Sequence, residues 1–223
     1  LLNYNTTAQN TVVIQPGPDT GMDTYINSAY PNDPGGPNEG LSANAWTYEG
    51  VFGIGRSLIR FDLAGLPTNT QILDARLTLV FDPSIAFGQQ YGENASILQK
   101  VTSPWNAETT TWNTQPGSTT SDQVFIPTTL SASQNLSNIN LTEMVQGWVQ
   151  NPATNFGFIH KMLVENEYCC VFYASSNKPV IEMRPKLVVT YLCDLPKAGF
   201  QYDVQIPNVT FTDTSNSATS WKW

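Results

Sequence analysis

The sequence predicts an all-β fold, a β-sandwich of many short strands carrying one short helix. Three observations predict it. Apolar residues alternate with polar ones through most segments, the period of a half-buried strand. Just one stretch follows helical spacing, and it is short. Charged residues make up only 13 %, aromatics reach 11 %, and 15 glycines and 15 prolines break the chain into brief runs. At 223 residues there is room for one large sandwich with a fragment to spare, or for two small domains.

Taken in order, residues 11–14 form a short apolar run that ends at Gln15-Pro16-Gly17-Pro18, and residues 23–28 suit a second strand. Residues 30–40 hold too many glycines, prolines and asparagines for a regular element and read as a loop. Residues 57–63 place Ile59, Phe61 and Leu63 on one face and Arg60 and Asp62 on the other. Gly65-Leu66-Pro67 turns the chain. Residues 72–81 alternate in the same way, with Ala75, Leu77, Leu79 and Phe81 against Arg76 and Thr78. Arg60 and Asp62 read as an ion pair that Arg76 can join from a neighbouring strand.

Residues 94–101 and 109–113 are further strand candidates. Residues 141–149 are the exception, because Leu141, Met144, Val145, Trp148 and Val149 recur at helical spacing. Asn140 and Glu143 resemble a capping box at its start, and Asn151-Pro152 stops it. Residues 157–164, 168–174 and 186–192 complete the sandwich, the last two as antiparallel neighbours. The pattern restarts after Asp194-Leu195-Pro196-Lys197 with strands at 199–204 and 208–213, which marks a boundary. The expected organisation is a leader or signal-peptide remnant at 1–9, a sandwich at 10–193, and a separate segment at 194–223. Leu1-Leu2 followed by Thr6-Thr7-Ala8 fits the end of a secretory signal cleaved after Ala8; an ordinary polar leader is the plainer account.

A formal charge of -8 with scattered basic residues excludes nucleic acid as a partner, since phosphate neutralisation needs clustered Lys and Arg. No stretch of about 18 apolar residues would insert in a membrane. Hydrolysis by a nucleophile lacks its motif, and any triad would recruit His160, a solitary histidine within an apolar strand. No segment singles out a carboxylate pair for glycosidase chemistry. The chain is therefore expected not to be an enzyme, with no catalytic residues assigned.

Cys169, Cys170 and Cys193 are too few for a disulfide framework. If Phe172 and Tyr191 face the core, parity puts Cys170 and Cys193 on the same face of adjacent strands, so a Cys170–Cys193 disulfide is expected; a vicinal Cys169–Cys170 bridge is the strained alternative. Asp19, Asp23, Asp33, Asn38 and Glu39 place oxygen ligands in the turn-rich loops, where a structural calcium ion would find them, although Asp and Asn in turns need no ion. Trp105, Trp112 and Trp148 read as core anchors. Trp46, Tyr48 and Phe52 lie in a glycine-containing, exposed segment where Trp46 and Tyr48 alternate onto one side. They are the candidate ligand-binding residues, by stacking on a pyranose ring or by contact with a partner protein, with simple loop packing as the third account.

Four segments together resemble the DNRLRE domain family, which overlaps carbohydrate-binding module family 96. They are residues 55–63, opening Gly55-Arg56-Ser57; residues 72–79, with Asp74-Ala75-Arg76-Leu77; Trp105 followed by Thr111-Trp112-Asn113-Thr114-Gln115-Pro116; and a set running from Val145 through Trp148 and Phe172-Tyr173-Ala174 to Arg184-Pro185-Lys186 and Tyr191. The resemblance implies a jelly-roll-like β-sandwich, an accessory domain of secreted and surface proteins, some of whose relatives bind polysaccharide, alginate among them. The segment 44–52 is longer and more aromatic here than the family's short hairpin. Residues 198–223, with Val209-Thr210-Phe211-Thr212-Asp213 and Trp221-Lys222-Trp223, resemble the first half of a PKD-type immunoglobulin-like domain. The two resemblances imply an extracellular binding or adhesion module of a bacterial cell-surface protein whose partner is a polysaccharide or another surface protein. A self-assembling subunit of a surface fibre and an accessory domain of a polysaccharide-degrading enzyme are the alternatives.

Overall fold

A computed structural model describes residues 7–36, 38–68, 70–85, 88–194 and 199–215. The chain folds as an all-β sandwich with one short α-helix. Its strands are β1 (Thr7–Ile14), β2 (Met22–Asn27), β3 (Gly40–Tyr48), β4 (Val51–Arg60), β5 (Ile72–Leu79), β6 (Ser96–Val101) and β7 (Ser118–Ile126). They continue with β8 (Leu136–Asn140), β9 (Phe158–Met162), β10 (Cys169–Ala174), β11 (Lys186–Asp194), β12 (Phe200–Gln205) and β13 (Asn208–Asp213), and the helix is α1 (Thr142–Gln150). One sheet has the order β1-β11-β5-β8, and a larger one has the order β10-β3-β4-β9-β6-β7 with β2 also paired to β4. All pairings are antiparallel.

The core lies between the sheets. Ala75, Leu77 and Leu79 of β5 and Leu187 and Val189 of β11 meet Leu41, Ala43 and Ala45 of β3 and Val171 and Tyr173 of β10. The period-two pattern of residues 72–79 arises because β5 buries alternate side chains and shows the others to solvent. A smaller cluster of Ile26, Leu58, Val101, Trp105 and Ile159 packs separately from this core, with Trp112 against it. Above Trp112 sits the guanidinium of Arg56, 4.5 Å from the ring centroid and bound to both carboxylate oxygens of Glu165.

The helix forms where its spacing demands. Met144, Val145, Trp148 and Val149 are its buried face. The expected capping box does not form: Leu141 stands at the N-cap without a side-chain hydrogen bond. Asn140, one residue earlier, accepts the Thr142 N–H at 3.0 Å, and Glu143 stands in the first turn, where the helix dipole favours a negative charge. Gln146 ties the helix to the four-stranded sheet by accepting from the Ile72 N–H and donating to the Thr70 carbonyl.

Several expectations need correction. Residues 109–113 make turns instead of a strand. β7 and β8 were not expected; β7 is a mostly exposed edge strand of Ser, Thr, Asp and Gln without an apolar alternation to betray it. β10 and β11 are not neighbours: the connection through the turn at Ile181–Met183 carries the chain from the larger sheet to the smaller. The expected Cys170–Cys193 disulfide fails for that reason. Its strands belong to different sheets, and all three cysteines are free. Arg60 and Asp62 do not gather Arg76, which lies in the other sheet and pairs with Asp74 at 2.7 Å. Asp62 instead accepts the Ala64 N–H in the following turn.

β1 begins inside the stretch expected to be leader and pairs along β11, with Thr7 opposite Asp194 and Ala8 opposite Cys193. β12 and β13 form a two-stranded hairpin whose residues are all exposed. The hinge residues Leu195, Pro196 and Lys197, and Trp221 and Trp223, lie outside the described residues.

Candidate functional site

β3 divides its side chains between two tasks. Leu41, Ala43 and Ala45 enter the core, while Ser42, Asn44, Trp46 and Tyr48 line a cleft of about 220 Å³. β2 contributes Tyr25 to the opposite wall, and β10, paired with β3 so that Cys170 faces Asn44 and Phe172 faces Ser42, closes the third side. No described residue lining this cleft carries an ionisable carboxylate, ammonium or guanidinium.

The polar side chains of the cleft hold each other. The Asn44 amide donates to Ser42 Oγ at 2.6 Å and to Tyr25 Oη at 3.2 Å, and its Oδ1 accepts the Tyr48 hydroxyl at 2.8 Å. Tyr25 and Tyr48 hydroxyls stand 2.9 Å apart, and Asn27 donates to Tyr25 at 2.8 Å. Burial, then the neighbouring Tyr25, pushes the Tyr48 phenol above its ordinary range, so it stays protonated. Gly55 makes the arrangement fit. It pairs with Asn27 on one neighbour and Asn44 on the other, and a β-carbon there would strike the Asn44 amide and the Tyr25 hydroxyl.

The mouth of the cleft is aromatic. Trp46, half-buried, meets Tyr168 edge-on with centroids 4.8 Å apart and Tyr91 at 5.5 Å. Tyr91 is held beside β10 by paired backbone hydrogen bonds with Cys170, and the Tyr168 hydroxyl shares a 3.1 Å hydrogen bond with Thr47 Oγ1. These two tyrosines are 49 % and 46 % exposed and offer solvent-facing ring at the opening. On the far side Tyr30 packs edge-to-face against Tyr48 at 5.9 Å.

Of the three aromatic residues singled out in the sequence, Trp46 and Tyr48 come together in the cleft. Phe52 sits across the ladder from Thr47, exposed, and does not line it. Sequence reasoning missed Tyr25, Asn44, Tyr91 and Tyr168. Parity along β10 held the signal for Tyr168, which shares its alternation with Cys170 and Phe172. Nothing local marked Tyr91.

Of the five oxygen-bearing residues proposed for calcium, Asp23, Asn38 and Glu39 meet at Ser175 and Ser176, which between them bond to all three, while Asp19 and Asp33 lie apart. Asp19 and Asp33 are in exposed turns, Asn38 Oδ1 accepts the Gly40 N–H, and Glu39 pairs with Lys178 at 3.2 Å. Asp23 is buried in β2, where one carboxylate oxygen accepts the Ser176 N–H at 2.8 Å; burial pushes its carboxyl up to about 6 against that hydrogen bond. Among the described residues no three carboxylate, His or Cys side chains gather in a metal-binding group. Lys178 bridges Glu39 to the buried Asp82, 2.7 Å away, and also donates to Ser84. His160 is buried in β9 beside Ser96 Oγ at 2.9 Å, and burial pushes it down to about 4.

With this geometry in place, comparison with known families gives one match: the model of carbohydrate-binding module family 96 fits residues 19–191. No curated protein matches the chain.

Proposed function

This chain belongs to carbohydrate-binding module family 96, and from that membership we propose that it is a non-catalytic, extracellular module that grips a polysaccharide in the β2–β3–β10 cleft. The observation that carries the assignment to this cleft is the pairing of a hydrogen-bonded tyrosine–asparagine floor with exposed tyrosine rings at its mouth. Sugar rings present C–H faces that stack on aromatic side chains and hydroxyls that need oriented partners, and the cleft supplies both. Tyr91 and Tyr168 receive a ring at the opening, with Trp46 supporting them from beneath. The floor is fixed before ligand arrives, which limits the ordering entropy of binding.

Adhesion at a bacterial surface is the role this reading favours. In it the β12–β13 hairpin is the beginning of a PKD-type domain that follows the module. Its apolar side chains Phe200, Tyr202, Val204, Val209 and Phe211 share one face of the hairpin and are exposed, as strands awaiting a second sheet would be.

Affinity gel electrophoresis against a panel of polysaccharides tests the assignment. Wild type is expected to be retarded on at least one, and Trp46→Ala and Tyr168→Ala to migrate as on an empty gel. Retardation unchanged in both variants would move the site elsewhere. Release of reducing ends from the retained polysaccharide would show an enzyme instead.

A further inference from the structure

Resting on that reading, we infer that Lys178 is a positioning residue for the cleft: it holds Ile85 in place as the wall of one end and does not itself line the site. Asn38 and Gly40, where β3 starts, build that end together with Ile85, which comes from the turn after Phe81. Ile85 lies directly on Gly40, and a β-carbon at Gly40 would strike its side chain. The bare glycine therefore lets an apolar residue close in on the strand. A sugar ring seated in the cleft turns C–H groups toward this wall and gains by burying it.

The core does not hold Ile85 there. Half-buried, it packs in neither apolar cluster of the fold. Its turn is stiff within itself, because Asp82 Oδ1 accepts both the Ser84 N–H at 2.9 Å and the Ser84 hydroxyl at 2.7 Å. Among the described residues between Phe81 and Gln89, the polar ties that leave the turn both end on Lys178. They are the ion pair with Asp82 Oδ2 at 2.7 Å and the hydrogen bond to Ser84 Oγ at 2.9 Å. The same ammonium group reaches Glu39 at 3.2 Å, between the other two residues of the end wall. These partners match the three donors of an ammonium group and leave none for a ligand. Lys178 is pinned in turn, since its N–H donates to the Ser175 carbonyl and its carbonyl accepts from Arg184. Ser175 also holds the Asn38 and Glu39 carbonyls. One side chain thus sets where Ile85 stands relative to residues 38–40.

The test is a double-mutant cycle read by isothermal titration, at a temperature where circular dichroism shows every variant folded. The probe is whichever of alginate, polygalacturonate, a β-glucan and a mannan retards the wild type in affinity electrophoresis. The tie is cut by Lys178→Met combined with Asp82→Asn, which strands no charge, and separately by Ser84→Ala at an exposed position. Ile85→Ala removes the wall. Each change is expected to weaken binding about threefold or more. Adding Ile85→Ala to the Lys178→Met, Asp82→Asn protein should cost nothing further, whereas adding it to Tyr168→Ala at the mouth should multiply the two losses. A merely structural Lys178 would lower the urea midpoint and leave the affinity of the folded protein alone. Cut-tie variants that bind as wild type does, or whose losses multiply with that of Ile85→Ala, would overturn the inference; a loss on Tyr168→Ala would still keep the cleft as the site. Binding that neither Tyr168→Ala nor Ile85→Ala alters would place the site elsewhere and overturn both. Failure of folded wild type to bind any of the four polysaccharides would also remove both.

Discussion

Gly55 pairs with Asn44 across the β3–β4 ladder, and a β-carbon on Gly55 would lie 2.6 Å from the Asn44 amide nitrogen. The colliding atoms are the ends of side chains, so Gly55→Ala is expected to fold while displacing Asn44 and Tyr25 from each other. The lost hydrogen bonds should cost about 1–3 kcal/mol. Polysaccharide retention should fall with no change in far-ultraviolet circular dichroism. An alanine variant that binds as well as wild type would show that the floor network does not position the ligand.

Lys178 compensates Asp82, whose side chain is 1 % exposed. Although burial works to raise the Asp82 carboxyl, the hydrogen bonds from Lys178 and Ser84 prevail and hold it below its ordinary value. Lys178→Met should therefore destabilise on the order of 3 kcal/mol, because it strands a buried charge. The double variant Lys178→Met with Asp82→Asn should recover part of that loss. Arg76→Met, which breaks an exposed pair with Asp74, should leave the denaturation midpoint where it is. Urea titration of the four proteins checks this.

Asp23 and His160 pull the pH dependence of stability in opposite directions. The Asp23 carboxyl is raised from 3.8 to about 6 on folding, so its contribution is full below 3.8 and is lost as pH rises through 6. His160 is depressed from 6.5 to about 4, so its contribution is present above 6.5 and is lost as pH falls through 4. Each arm is on the order of 3 kcal/mol, and between pH 4 and 6.5 they nearly cancel. Wild type should show a flat profile there. Asp23→Asn, which can still accept from Ser176, should lose stability steadily on acidification, and His160→Gln should gain it. Denaturant titrations across that window decide the matter; parallel profiles for all three proteins would refute it.

The thiols should report the placement of the strands. Unfolded in denaturant without reductant, the protein should yield three titratable thiols. In the native state the half-buried Cys193 should react first. Cys169 and Cys170 are buried, and burial raises both, Cys170 up to about 12, so little thiolate is present to attack a reagent. Mass spectrometry after partial alkylation gives the order.

The expected strand at 57–63 caught only the end of β4: residues 51–56 belong to it as well, and Phe61 and Leu63 lie beyond it. That end, β5, α1 and β11 were legible because each carries its signal within itself, as an alternation through Ile59, Leu77 and Val189 or as the spacing of Met144, Val145 and Trp148. β7 was not, since an exposed edge strand has no buried face to write into the chain. The neighbours of β10 were misjudged for a related reason. Pairing is decided between strands, and the length of the connection from Ala174 to Lys186 suits a return to the same sheet as well as a crossing to the other. The site divides likewise. Trp46 and Tyr48 stood out through their two-residue spacing in one hairpin, but Tyr25, Tyr91 and Tyr168 reach it from remote parts of the chain, so only the fold could assemble them.

Because Thr7 stands opposite Asp194, the sandwich is entered and left at the same end of one strand pair. Tension between those two points runs across β1 and β11, parallel to their hydrogen bonds, and opens the pair rung by rung instead of shearing it as a block. The rung at Thr7 gives way first, and the zipper runs toward Ile14 and Leu187. The cleft is built on the other sheet and bears none of this load at the start. Under a steady pull between Thr7 and Asp194, then, this strand pair yields before the sheet that carries the cleft.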